Sequence, residues 1–157
     1  MTDLDRWLDE HGDGLVALRR TLHAHPELSG QERATTDLVY ERLRLAGLEP
    51  RRLAVGTGLV CDISPDELST GIDEAACGRL ALRADLDALA MADEKSVTYR
   101  SQVPGVSHAC GHDVHTAAVL GAGLALARGS FDGTVRLGRS GSFSNPPRSG
   151  YRAAHSM

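Results

Sequence analysis

A chain of 157 residues that is 41% hydrophobic and 24% charged can build one domain with a real core, which excludes the disordered and fibrous classes. Its net charge of -4 comes with no block of basic residues, so nucleic acid and acidic membrane surfaces are not expected as partners and a small molecule is. The longest apolar run, Ala117 to Ala127, has 11 residues, well short of the roughly 20 that a membrane span needs.

In chain order, Trp7, Leu15, Leu18 and Leu22 recur at near-helical spacing behind Asp3 and Asp5, where a helix N-terminus favours negative charge; a helix is predicted over residues 5 to 22. Its opening alternates acids with apolar residues, unlike a secretory signal, and a cytoplasmic location is the expectation. His25-Pro26-Glu27-Leu28 breaks the pattern. Ser29 with Glu32 three residues later has the form of a capping box for a second helix, with core positions Thr35, Val39, Leu43 and Ala46 and with Gly47 to end it. Leu59 to Ile63 and Arg79 to Asp85 are short apolar runs bounded by turn residues, and predict strands. The acidic stretch from Pro65 to Gly78 between them is expected to be a surface excursion. A helix is predicted from about Asp113 to Ala127, where Gly121 and Gly123 weaken the isolated helix but permit close packing on a sheet. Helices alternating with strands indicate an α/β fold, a sheet flanked by helices.

Chemistry concentrates after the second strand. Cys110 and His112 flank one glycine just ahead of a predicted helix; thiolate and imidazole both bind zinc and similar ions, and Gly111 lets the backbone turn both toward one point. A cysteine of this kind is otherwise a small buried hydrophobe. Asp85 and Asp87 stand at the end of a predicted strand, where a two-residue period directs both side chains to one face, and two such carboxylates repel unless a cation or proton intervenes. The alternative is that one caps a turn and the other is solvated. In open α/β sheets ligands bind at the carboxyl ends of strands. His25, beside a proline, is expected to hold local structure through a ring hydrogen bond, and His115 to support the site or the core. The cysteines Cys61, Cys77 and Cys110, odd in number and widely spaced, argue against a disulfide framework.

Three ordered runs carry a resemblance: Arg19-Arg20-Thr21-Leu22-His23-Ala24-His25-Pro26-Glu27-Leu28-Ser29; Leu82-Arg83-Ala84-Asp85-Leu86-Asp87-Ala88-Leu89; and Tyr99-Arg100-Ser101 through Pro104-Gly105-Val106 to His108-Ala109-Cys110-Gly111-His112-Asp113 and His115-Thr116-Ala117. Together they are similar to the metal-dependent amidohydrolases that include hippurate hydrolases, N-acyl-amino-acid deacylases and auxin-conjugate hydrolases. The resemblance implies a partial mixed sheet flanked by helices, the N-terminal part of a zinc-peptidase-like catalytic domain. It implies Cys110 and His112 as ligands to two divalent ions, zinc or manganese, with the thiolate able to bridge them, and Asp87 as the residue that orients the site. The implied reaction is attack of water on the amide of an N-acyl amino acid, with the metal lowering the water's pKa. The full-length form is where a homodimer is expected. Asp87-Ala88-Leu89-Ala90 departs from the family's Asp-Ala-Leu-Pro. The family's general-base glutamate, in a Gln-Pro-Ala-Glu-Glu run, has no counterpart among the 157 residues.

From Gly138 to Met157 there is no Leu, Ile, Val or acid, with five serines and three arginines, a composition that cannot continue a core strand or an amphipathic helix. Residues 1–137 are therefore assigned to the catalytic domain and 138–157 to a non-native-looking tail. One origin is a shift of reading frame: Lys95 is the one lysine among 17 basic residues, which suggests GC-rich codons, and Ser144-Asn145-Pro146-Pro147-Arg148-Ser149 is compatible with Gln-Pro-Ala-Glu-Glu in the neighbouring frame. A natural tail is the other. The expectation is an inactive product of an amidohydrolase gene; a catalytically dead binding module or an unstable remnant is the alternative.

Overall fold

The structure, a computed structural model, describes residues 3–64, 79–129, 131 and 133–138. The acidic excursion at 65–78 with its Cys77, and the tail beyond Gly138, lie outside the described residues.

Helix α1, Asp3–Ala24, carries Leu18 and Leu22 one turn apart on its buried side, with Trp7, also buried, about three turns before Leu18. It ends where Pro26 removes a donor. The His25 ring donates through Nδ1 to the Thr21 carbonyl at 2.9 Å, the local role expected of it. Helix α2 follows as Arg33–Leu45 and buries Thr35, Thr36, Val39 and Leu43. Ala46 is the C-cap and is exposed, so Thr36 takes the core place expected of it. Gly47, at φ +83°, closes the helix: its N–H and that of Leu48 bond back to the carbonyls of Arg44 and Leu43.

The start of α2 differs from the capping-box expectation. Neither Ser29, which is exposed, nor Glu32, which is buried, caps the helix with its side chain. The Glu27 carboxylate does so instead, accepting from the Ala34 N–H at 3.1 Å and the Thr35 N–H at 2.7 Å. A carboxylate at a helix N-terminus meets both the unpaired N–H groups and the positive end of the dipole. Spacing in sequence could not show this, because the cap arrives from seven residues away.

Among the described residues the sheet has four strands in the order β1 (Arg51–Arg52), β2 (Leu59–Ile63), β4 (Thr134–Gly138), β3 (Arg79–Arg83). It is mixed: β2 runs antiparallel to β1 and β4, and β3 parallel to β4. The β3–β4 crossover contains helix α3, His112–Leu126. Leu59, Cys61 and Ile63 of β2 and Val135 and Leu137 of β4 face one side, where they form one core with Leu18, Leu22, Val39, Leu43, Ala117 and Leu120. Helices α1, α2 and α3 thus all contribute to one face of the sheet. Each fully buried leucine there adds about 1.5–3 kcal/mol. On the opposite side Asp62 and Arg136, cross-strand partners, form a two-pronged ion pair at 2.5 and 2.7 Å.

The glycines of α3 behave as anticipated. A Cβ on Gly123 would fall on Leu137 Cδ1 of β4, and one on Gly121 would lie 2.8 Å from Leu15 Cδ1 of α1. Their absence lets α3 lie between sheet and first helix. Among the described residues no helix is long and apolar enough to cross a membrane.

Candidate metal centre

Strand β3 stops at Arg83, two residues earlier than predicted, and the chain leaves the sheet with the Ala84 N–H on the Gly138 carbonyl at 3.1 Å. Burial nonetheless still alternates as far as Ala88, with Ala84, Leu86 and Ala88 buried and Asp85 and Asp87 half-buried between them, while the two carboxylates take different partners. Asp85 pairs with Arg83 at 3.3 Å while its carbonyl accepts from the Thr116 hydroxyl of α3 at 3.1 Å. Asp87 turns toward α3. There the His112 Nδ1–H is shared between the Asp87 carbonyl at 3.0 Å and its Oδ1 at 3.1 Å. With Nδ1 so engaged, the lone pair of Nε2 is the one left for a ligand.

The turn between Cys110 and His112 depends on Gly111, at φ +84° and ψ 11°, the left-handed N-cap of α3. Among the described residues, chain neighbours apart, no atom lies within 4 Å of where its Cβ would be, so backbone conformation and not space selects glycine here. The turn brings the half-buried Cys110 Sγ to 3.9 Å from the same Asp87 carbonyl. Asp87, Cys110 and His112 are therefore neighbours at the carboxyl end of β3. Among the described residues no group of three or more His, Cys, Asp or Glu side chains closes around a point as a complete metal shell would. His115 is exposed, its ring 5.9 Å from that of His112, and it is not a core residue.

Behind these residues lies a buried polar cluster that the motif spacing does not reveal. His23, fully buried, donates from Nδ1 to Oδ2 of the fully buried Asp113 at 2.6 Å. Its Nε2 faces Asp93 Oδ2 at 3.2 Å and Lys95 Nζ at 3.3 Å. Arg19 Nε is 2.8 Å from Asp113 Oδ2, a close ion pair without hydrogen-bond alignment. The Ser101 N–H at 2.9 Å holds the Asp93 carboxyl well below the usual carboxylate range against the opposing effect of burial, with the Lys95 N–H assisting. His108 is also buried, both ring nitrogens lack a hydrogen-bond partner among the described residues, and desolvation lowers its pKa. Cys61 is a core thiol, pushed up to about 11 by burial and then by the neighbouring Asp62 charge. The signal for Asp113 was present in its position directly after His112; the partners on α1 and in the connecting loop were not deducible from spacing.

The β3–α3 connection of this mixed sheet thus brings a thiol, an imidazole and a carboxylate together at the carboxyl end of a strand. Residues 81–138 match the model of peptidase family M20/M25/M40, and the chain belongs to that family of metal-dependent hydrolases. Its likeness extends further upstream. The N-acetyl-L-cysteine deacetylase of Bacillus subtilis is 40% identical over 125 residues, which cover 78% of this chain and 28% of that protein. A Rhodococcus jostii protein, provisionally named as glutamate–cysteine ligase 2-3, is 50% identical over 123 residues, 78% of this chain but 14% of the relative, so its name describes a much larger protein than the shared segment. Among solved structures, the Bacillus subtilis YXEP protein, described as a dinuclear metal-binding peptidase of family M20, superposes with a TM-score of 0.74 at 34% identity, over 83% of this chain and 35% of the other. The chain thus spans about a third or less of the length of these proteins.

Proposed function

We infer that this chain carries part of the dinuclear metal site of an amidohydrolase acting on N-acyl amino acids, with Cys110 and His112 as ligands and Asp87 as the residue that orients His112. The observation that carries this is the Asp87 hinge: one residue engages His112 Nδ1 through two oxygens and lies beside Cys110 Sγ, at the carboxyl end of a sheet strand. The donor set fits divalent zinc or manganese in part, since a thiolate and an imidazole favour zinc while the remaining ligands are not supplied by the described residues. Bound there, the ions would lower the pKa of a water and stabilise the oxyanion of the attacked amide.

The chain's own residues fix imidazole and thiolate but supply no general base of the Gln-Pro-Ala-Glu-Glu type. The 157 residues alone are accordingly expected to bind metal weakly and to hydrolyse no N-acyl amino acid detectably. N-acetyl-L-cysteine is the first substrate to try, given the name of the deacetylase relative. Titration of the chain with Co2+, read by thiolate-to-metal absorption, tests the site. Binding that disappears in Cys110→Ala is expected. No binding, or binding that Cys110→Ala leaves unchanged, would overturn the assignment, and chelator-sensitive hydrolysis by the purified chain would overturn the expectation of inactivity.

A further inference from the structure

Several charged or titratable groups that ligand binding leaves unused meet at one buried point around His23. Such a cluster is a poor way to stabilise a fold, since apolar side chains of similar volume do as well or better once desolvation is counted. What it supplies is direction. Arg19 and His23 belong to α1, Asp113 to the first turn of α3, and Asp93 and Lys95 to the connection between β3 and α3. Asp113 follows His112 directly, so the bond from His23 Nδ1 fixes the rotation of the turn that presents His112 and Cys110. The same imidazole faces Asp93 through Nε2, and Asp93 in turn accepts from the N–H groups of Lys95 and Ser101, which organises the loop that leads into Cys110. The edge of the Tyr99–His23 pair, at 5.7 Å and 78° between planes, seats the ring from a third side.

We propose that His23 is a positioning residue for the metal centre: through Asp113 it sets the Cys110-Gly111-His112 turn from outside the ligands. This rests on Cys110 and His112 being the ligands, and the test separates the two ideas. An asparagine amide nitrogen takes the place of Nδ1 and preserves the bond to Asp113, whereas a glutamine amide nitrogen takes the place of Nε2 and preserves only the Asp93 side. In metal-free protein, the rate at which iodoacetamide alkylates Cys110 is measured by peptide mass, with the buried Cys61 as the internal report of folding.

His23→Gln is expected to change the Cys110 rate severalfold, His23→Asn to leave it close to that of the unaltered chain, and Cys61 to stay protected in both. Co2+ affinity should fall about tenfold in His23→Gln, in the range known for residues that orient ligands, and be restored in His23→Asn. Equal Cys110 rates in the two variants, whether both changed or both unchanged, overturn the proposal. Exposure of Cys61 in either variant also overturns it, because the role of His23 is then in folding. Absence of Co2+ binding by the unaltered chain sinks the ligand assignment instead, while the alkylation rates still decide the role of His23.

Discussion

Replacing Asp87 by alanine separates an orienting residue from a ligand. The His112 N–H is divided between two acceptors of this one residue, the carbonyl at 3.0 Å and Oδ1 at 3.1 Å, and alanine deletes only the second. Removing an orienting partner costs about 10–100-fold in metal affinity. With the carbonyl still in place the loss should lie at the lower end, about tenfold, or ~1.4 kcal/mol. The His112 and Asp87 side chains are each about a quarter exposed, at 24% and 25%, so the pair adds no more than about 1 kcal/mol to folding. Co2+ titration of the unaltered chain, Asp87→Ala and Asp87→Asn, each checked by urea unfolding, provides both numbers. Asparagine keeps an acceptor without the charge and should lose less than alanine. An unchanged affinity in Asp87→Ala would refute the orienting role, and a loss far beyond a hundredfold would show that the carboxylate itself binds the ion.

Other expectations concern the scaffold. Its own helix backbone and chain neighbours apart, no atom of the described residues lies within 4 Å of a Cβ built on Gly12 of α1, so Gly12→Ala should stabilise by about 0.5–1 kcal/mol in urea unfolding. Gly123→Ala gains a similar propensity term but drives a methyl into Leu137 and to 3.5 Å from Ile63; overpacking at about 1–3 kcal/mol should leave it less stable. Glu27→Ala should cost about 1–2 kcal/mol by uncapping α2. Because the folded Cys61 thiol is raised from 9.0 to about 11, the unfolded chain ionises first and stability should fall as pH rises through that window, by on the order of 2–3 kcal/mol at its upper end; Cys61→Ala should flatten that alkaline limb. The folded Asp93 carboxyl is depressed, so its contribution is present above the ordinary carboxylate range and lost as pH falls below about 4. Asp93→Asn should reduce the acid sensitivity of urea unfolding.

Periodicity made the long elements legible. Leu18 and Leu22, Val39 and Leu43, and Leu59, Cys61 and Ile63 all lie where their spacing placed them, because a helix stripe and a strand alternation both record a single buried face. Strand β4, Thr134 to Gly138, was not among the predicted strands, yet it pairs with β2 on one side and β3 on the other. Its central place is a consequence of topology, which no local pattern encodes. The Asp85–Asp87 period shows in the burial, which alternates from Ala84 to Ala88 although β3 ends at Arg83, but the separate partners of the two carboxylates were not legible. Conversely, Gly111 was legible as a hinge because a positive φ has few other occupants.

The cap of α2 explains why the first motif matters to a site in which it contributes no candidate ligand. Glu27 holds α2 through its carboxylate and, through its carbonyl, accepts the Ala88 N–H at 2.8 Å, one residue after Asp87. Leu28 and Ala88 form a parallel bridge at the same place, and the Ala24 carbonyl accepts from the Gln102 N–H at 2.8 Å. Leu89 and Ser107 then exchange two backbone hydrogen bonds, which returns the loop toward His108 and Cys110. The α1–α2 elbow is therefore the frame to which both arms of the candidate site are fastened: Asp87 through Glu27 and Leu28, and the Cys110 turn through Ala24 and the His23–Asp113 bond. His108-Ala109-Cys110-Gly111-His112-Asp113 contains the candidate ligands, but residues 19–28 set where those ligands point. Their proximity is a property of two distant segments folded together, and this is why isolated Cys-x-His spacing is a weak signal and the ordered set of runs a strong one.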